Sequence, residues 1–276
     1  MSKVWFITGS SRGFGRIWTE AALARGDKVA ATARNTESLE SLAGSHGKSV
    51  LPIQLDVTKK TEVDEAVRRV HETFGRIDVL VNNAGYGLFG TIEEVSEAQA
   101  REQIETNVFG ALWVTKAVVP IMREQRSGRI VQISSVAGVL ANANLGMYHA
   151  SKWALEGFSQ ALAVEMREFG VKVTIVEPGG FTTEWGTTSA VWAEPLPAYE
   201  PIREAHAARR AKMRRGDPQA TARVMFELVD MEEPPLRVVF GSGLVDALKT
   251  EYEKRVAVWE EYRRLAEESQ GGELVS

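Results

Sequence analysis

Apolar residues collect in seven short, nearly unbroken blocks along the chain, at 4–8, 28–33, 50–55, 79–82, 128–134, 172–177 and 237–240. The blocks are rich in Val, Ile and Leu and have the length of strands. In "DVLVNNAG" and "RIVQISS" almost every position before the turn residues is apolar, as expected of a parallel strand covered on both faces. Longer segments of helical period lie between the blocks, at 15–25, 36–44, 60–74, 97–124 and 147–169. Strand and helix thus alternate. That pattern predicts an α/β fold, a single-domain, doubly wound parallel sheet of about seven strands with helices on both faces.

The regularity weakens after Pro178. From 181 to about 216 come Trp185, Trp192, Pro195, Pro197, Tyr199 and the basic run "AARRAKMRRGD", which reads as an insertion ahead of a last helix and strand. No internal repeat or low-complexity linker divides the chain, so 1–276 is expected to be one domain. Its tail, from about 268, is expected to fray.

Composition narrows the function classes. The 276 residues have a net charge of −4, with 44% hydrophobic and 25% charged residues, which gives no hint of a nucleic-acid partner. There is no cysteine, so disulfides and thiol chemistry are excluded and a reducing compartment is suited. No apolar run reaches the roughly 18 residues that span a bilayer. The expected location is the cytoplasm.

Candidate chemistry begins after the first strand, at "TGSSRGFG". Three glycines, Gly9, Gly13 and Gly15, stand between a strand and a helix. Such a turn places free N–H groups and the positive helix end against a phosphate. The spacing is G-x-x-x-G-x-G, and taken alone it also suits a mere tight turn. Farther on, Tyr148 and Lys152 are four apart and share one helix face. A free tyrosine titrates at about 10 and is a poor base. A nearby ammonium would bring it toward working range.

These features have company in a fixed order. Asp56 ends the third block in "LDVT", Asn82-Asn83-Ala84-Gly85 ends the fourth, and Asn107 follows in "TNVFG". "QISSVAG" ends the fifth, "YHASK" opens a helix, and Pro178-Gly179 closes the sixth. The set resembles the short-chain dehydrogenase/reductase family, in its branch with the T-G-x-x-x-G-x-G turn, over roughly residues 3–184. The resemblance implies a Rossmann-type fold and a catalytic set of Asn107, Ser135, Tyr148 and Lys152. Ser135 lies thirteen residues before Tyr148, the family's spacing for its substrate-binding serine, with Ser134 as the competitor. In the family the asparagine distorts its helix and holds a water that links the lysine to solvent. NADPH would then reduce a carbonyl, with Ser135 and Tyr148 binding the oxygen and Tyr148 giving the proton. Lys152 would also bond the nicotinamide ribose.

The resemblance also assigns the cofactor site. Gly9, Ser11, Arg12, Gly13, Phe14 and Gly15 would line the pyrophosphate and adenosine end. Asp56 and Val57 would touch adenine, while Asn83, Ala84 and Gly85 would border its ribose. Pro178, Gly179, Phe181 and Thr183 would hold the carboxamide end. NAD-preferring enzymes of this shape usually carry an acid at the end of the second strand; here that position is Ala33, followed by Arg34. With Arg12 approaching the same place, the cofactor is expected to be NADP(H). The aromatic insertion at about 185–216 would be a substrate lid over a bulky apolar carbonyl or alcohol.

Two rivals keep the fold: a catalytically silent NADP-binding regulator, and a different reaction such as that of an epimerase or enoyl reductase. No metal site is expected, because His46, His71 and His206 lack partners at ligand spacing. His149 is read as packing and 209–215 as a solvated helix face. The segments 97–124 and 147–169 are apolar on more than one face, which with the resemblance implies a homodimer or homotetramer.

Overall fold

The computed structural model describes residues 2–271. Strand and helix follow one another as β1 (Val4–Ile7), α1 (Gly13–Ala24), β2 (Lys28–Ala33), α2 (Glu40–His46), β3 (Val50–Gln54), α3 (Lys60–Phe74) and β4 (Val79–Asn82). Then come β5 (Leu88–Phe89), α4 (Glu97–Ile104), α5 (Ala111–Gln125), β6 (Gly128–Ile133), α6 (Gly146–Glu165) and β7 (Val171–Pro178). The unit closes with β8 (Val191–Trp192), α7 (Glu200–Lys212), α8 (Thr221–Asp230) and β9 (Arg237–Phe240). All seven expected strands form, in one wholly parallel sheet of order β3-β2-β1-β4-β6-β7-β9. The order reverses between β1 and β4, which opens a crevice at their carboxyl ends.

The sheet's two faces explain the unbroken apolar blocks. Trp5 and Ile7 of β1 face one core, with Ile17, Trp18, Ala22 and Leu23 of α1 and Met225, Leu228 and Val229 of α8. Val4 and Phe6 face the other, with Val63, Val67 and Val70 of α3 and Val114, Val118 and Met122 of α5. Alternate residues of a strand point to opposite faces, so a strand covered on both sides must be apolar throughout.

Three features depart from the sequence pattern. The segment expected as one helix over 97–124 is α4 and α5, joined through a π-helical turn, Glu105–Gly110. The Ser96 hydroxyl caps α4 by accepting from the Gln99 N–H at 3.2 Å, and the Gln99 side chain accepts from the Ser96 N–H at 3.1 Å. A second sheet pairs β5 with β8, two residues each. The insertion contains the 13-residue α7, and its ends meet: Thr182 N–H donates to Gly216 O at 3.0 Å, and Gly216 N–H to Gly180 O at 2.9 Å.

All of this lies in one compact unit, residues 1–241; residues 242–276 form a second. The second unit holds α9 (Leu244–Glu261) and α10 (Arg263–Ser269), helices the sequence reading did not anticipate. Of the tail expected to fray, 272–276 lie outside the described residues. Among the described residues no helix is long and apolar enough to cross a membrane.

Candidate active site

The crevice between β1 and β4 is lined by backbone. Gly9 and Gly13 have φ of +70° and +55°, conformations that side chains rarely adopt. A Cβ on Gly15 would lie 2.2 Å from Gly9 O, so the turn closes only with glycine there. The Asn83 amide donates to Thr8 O (2.9 Å) and Gly9 O (3.0 Å), while Thr8 Oγ1 accepts from the N–H groups of Asn83 and Ala84, each at 3.0 Å. Asn83 therefore ties the ends of β1 and β4 together. Its amide nitrogen is spent on the turn rather than offered to a ribose.

No side chain caps the start of α1, and its first turn holds no acid. The free N–H groups and the open cradle fit a pyrophosphate. Arg12 and Arg34 are exposed beside it and make no ion pair or side-chain hydrogen bond among the described residues. Ala33 ends β2 where a carboxylate would otherwise face them. Ser11 is half-buried in the same turn. Phe14 turns away, stacked on Trp18 at 5.1 Å and edge-on to Phe181 at 5.1 Å, so only its backbone can serve a ligand. The Asp56 carboxylate accepts from the N–H and hydroxyl of Thr58 at 3.1 and 2.8 Å, and Val57 packs against Gly110.

The candidate catalytic groups converge at the carboxyl ends of β4, β6 and β7. Ser135 follows β6; its hydroxyl donates to Pro178 O at 3.2 Å, accepts from the Ala137 N–H at 3.1 Å and lies near enough to the Tyr148 phenol to draw its titration down. Tyr148 and Lys152 lie one turn apart on the buried face of α6. Lys152 Nζ donates to Ile133 O at 2.9 Å and is 5.8 Å from the Tyr148 ring centre. Asn107 sits in the π-turn, its amide accepting from the Tyr86 N–H (3.1 Å) and donating to Tyr86 O (3.0 Å) and Ser151 Oγ (3.1 Å). A Cβ on Gly85 would meet Asn107 Oδ1 at 2.9 Å and Lys152 Nζ at 3.8 Å. Asparagine, lysine and Gly85 thus share one corner.

In the protein without a cofactor, burial pushes the Tyr148 phenol up, only partly countered by Ser135. Burial also brings Lys152 down to about 8, against the pull of Glu156.

Behind the lysine lies a cluster the sequence reading missed. Glu156, one turn beyond Lys152, and Glu177, in β7, are both buried, and both face Arg237 of β9, at 3.0 and 3.6 Å. Arg237 also donates to Gln160 at 2.8 Å. Burial and the Glu156 charge push Glu177 up to about 7, and burial pushes Glu156 up as well. Ser134 lies on this side, beside Gly138 and Glu156, its buried hydroxyl without a hydrogen-bond partner among the described residues. The sequence did carry a signal: a lone acid in the otherwise apolar "VTIVEP".

The segment after β7 reaches back over this centre. Thr183 caps the turn at Glu184–Gly186 through its hydroxyl, and Gly179 N–H donates to Phe240 O at 2.9 Å. The Trp185 ring lies 4.9 Å from that of Tyr148, and Phe89 stacks on Trp192 at 4.3 Å. His149 Nε2 accepts from the Asn142 N–H at 3.0 Å, so Nδ1 carries the proton and donates to Ala137 O at 2.9 Å. That histidine is a packed, satisfied group.

Comparison with known proteins agrees with this architecture. The short chain dehydrogenase family matches residues 3–193. Oxidoreductase BOA17 of Botryotinia fuckeliana is 41% identical over 270 residues, 96% of this chain and 98% of that one. The crystal structure of a short-chain dehydrogenase from Streptomyces avermitilis superposes with a TM-score of 0.91 at 40% identity, covering 97% of this chain and 98% of its own. An alcohol dehydrogenase from the archaeon Thermococcus sibiricus, complexed with 5-hydroxy-NADP, gives 0.72 at 27% identity, with 88% and 97% covered. With its seven-stranded parallel sheet, its glycine cradle and its serine, tyrosine and lysine at one crevice, the chain belongs to the short-chain dehydrogenase/reductase family of oxidoreductases.

Proposed function

We propose that this protein is an NADP(H)-dependent oxidoreductase that interconverts a ketone or aldehyde and its alcohol, on a substrate with a bulky apolar body. The observation that carries this reading is the buried Tyr148 phenol near the Ser135 hydroxyl and one helical turn from Lys152. Gly9, Ser11, Arg12, Gly13 and Gly15 hold the cofactor's phosphates, Asp56, Val57, Ala84 and Gly85 its adenosine half, and Pro178, Gly179, Phe181 and Thr183 its carboxamide end. The nicotinamide, when bound, supplies hydride to the carbonyl carbon.

The chain's own groups do the rest. Burial keeps Tyr148 a neutral phenol, the form an acid needs in order to donate to a carbonyl oxygen gaining charge. Ser135 adds a second donor on that oxygen. Lys152 holds its ammonium at the strand end and replenishes the tyrosine's proton, with Asn107 beside it toward solvent. The preference for NADP(H) rests on Arg12, Arg34 and Ala33: two unpaired guanidinium groups, and no carboxylate to repel a 2′-phosphate.

Phe109, Trp153 and Val164 are exposed on the two helical segments that were expected to pair, which supports a homodimer or homotetramer. The monomer's mass in light scattering at micromolar concentration would refute that. A cytoplasmic location and closure of the lid over bound ligands belong to the same reading. The decisive assay mixes protein, NADPH and a panel of ketones, aldehydes and enones and follows loss of the nicotinamide absorbance. Reduction of ketones or aldehydes is the expected result; binding of NADPH with no turnover of any of them would overturn it. Lys152→Ala should impair turnover and cofactor affinity together, and unchanged NADPH affinity would remove lysine from the ribose.

A further inference from the structure

The lid helix α7 presents one face inward at Arg203, His206 and Arg210, all partly buried while their neighbours are exposed. The first is fully paired. Arg203 donates to the buried Glu94, to Glu200 at 2.6 Å and to Leu196 O at 2.9 Å, and the Tyr199 hydroxyl bonds Glu93. Those contacts bolt the start of the helix to the body of the enzyme.

Arg210, two turns on, is different. Its guanidinium lies 5.0 Å from the centre of the Phe89 ring, and Nη2 donates to Gly186 O at 3.2 Å. No carboxylate lies within ion-pair distance of it among the described residues. The charges that bear on it are of its own sign: Arg215 acts on its titration, and it acts in turn on His206, whose ring is 6.0 Å from Phe89. Neighbouring Arg209 is turned outward onto Asn142. A half-buried cation among aromatic faces, without an acid, costs free energy that an incoming anion would offset. The rings also form a continuous path, from Tyr148 to Trp185 at 4.9 Å, on to Phe89 at 5.7 Å, and then to Arg210.

We propose that Arg210 binds a carboxylate on the substrate, whose aromatic body lies along Trp185 and whose carbonyl meets Tyr148. This rests on the carbonyl-reductase reading and narrows it to aromatic oxo-acids. The planar fork of arginine matches a carboxylate through two parallel hydrogen bonds. His206, held neutral by burial and its cationic neighbours, can add a third donor.

The test compares para-acetylbenzoate with its methyl ester, NADPH being the reductant. Wild-type kcat/KM should favour the acid by roughly ten- to a hundredfold, the worth of one charged hydrogen-bonded pair. Arg210→Met keeps the stem over Phe89 and should bring that ratio close to one. Arg210→Lys, charged but without the fork, should fall between. An acid-to-ester ratio near one in the wild type, or a ratio unchanged by Arg210→Met, overturns the proposal. Binding is read separately, as benzoate quenching of tryptophan emission in protein saturated with NADP+. Quenching lost in Arg210→Met supports the anion site, and quenching equal in both proteins overturns it. Turnover of neither ketone despite such binding would count against the carbonyl-reductase reading alone.

Discussion

The two walls of the crevice are made of different material. On the cofactor side, the ends of β1 and β4 and the start of α1 present peptide groups shaped by Gly9, Gly13 and Gly15 and clamped by Thr8 and Asn83. On the opposite side, β5, β8, α7 and the turn at Trp185 contribute side chains, namely Phe89, Trp185, Trp192 and Arg210. A peptide wall offers the same donors whatever side chains surround it, and it tolerates no added atom. A side-chain wall can be re-lettered residue by residue without disturbing the sheet. The first suits a constant ligand and the second a variable one. Tyr148 stands where they meet.

Substitutions can break that contrast, the most damaging first. Tyr148→Phe removes the acid but neither wall. Turnover should fall by roughly a thousandfold or more, while the melting temperature and NADPH affinity stay close to wild type; near-normal activity would remove Tyr148 from the chemistry. Gly15→Ala attacks the peptide wall, since its Cβ would lie 2.2 Å from Gly9 O. It should lower stability by about 3 kcal/mol and abolish cofactor binding together, as thermal melts and NADPH titration would show. If the variant bound NADPH normally, the wall would be softer than described.

Smaller effects sharpen the comparison. Losing Arg12 or Arg34 to leucine touches only the rim of the peptide wall and should cost roughly ten- to a hundredfold in NADPH affinity, leaving NADH unchanged. An equal loss for both cofactors would mean that the arginines hold no 2′-phosphate. The smallest effect belongs to neither wall. Glu177 titrates at 4.5 when free and at about 7 in the fold, so between those values the folded state binds more protons than the unfolded. Stability should therefore fall as pH rises from 4.5 to 7, and Glu177→Gln should flatten that slope in melts across the range. An unchanged slope would assign it to other groups.

Much of this was legible in the chain, and unevenly so. The seven strands of the main sheet show as apolar blocks because both faces are covered. The catalytic and cofactor candidates could be named because their short motifs stand in the order and spacing of the resembled family, several of them at a strand end. β5 and β8 have two residues apiece, too few to carry a period of two, and their pairing joins segments a hundred residues apart. Helix α9 carries Val245, Tyr252, Val256 and Trp259 at spacings of seven, four and three, one helical stripe that stays exposed, and the sequence reading passed over that period. The upward push on Tyr148 in the protein without a cofactor was not legible, because burial belongs to the fold and not to the spacing of two residues.

The π-turn at Glu105–Gly110 has a mechanical consequence as well. A π-turn accommodates one residue beyond the α-helical repeat, and each residue advances a helix by about 100°. It therefore acts as a phase shifter: α4 and α5 run on through one rod, but their inward faces are set at different angles. Asn107 occupies the shifter itself, so the site and the change of phase arise from the same inserted residue. Straightening the turn into α-helix would rotate everything on one side of it against the sheet, and the asparagine corner could not survive the correction.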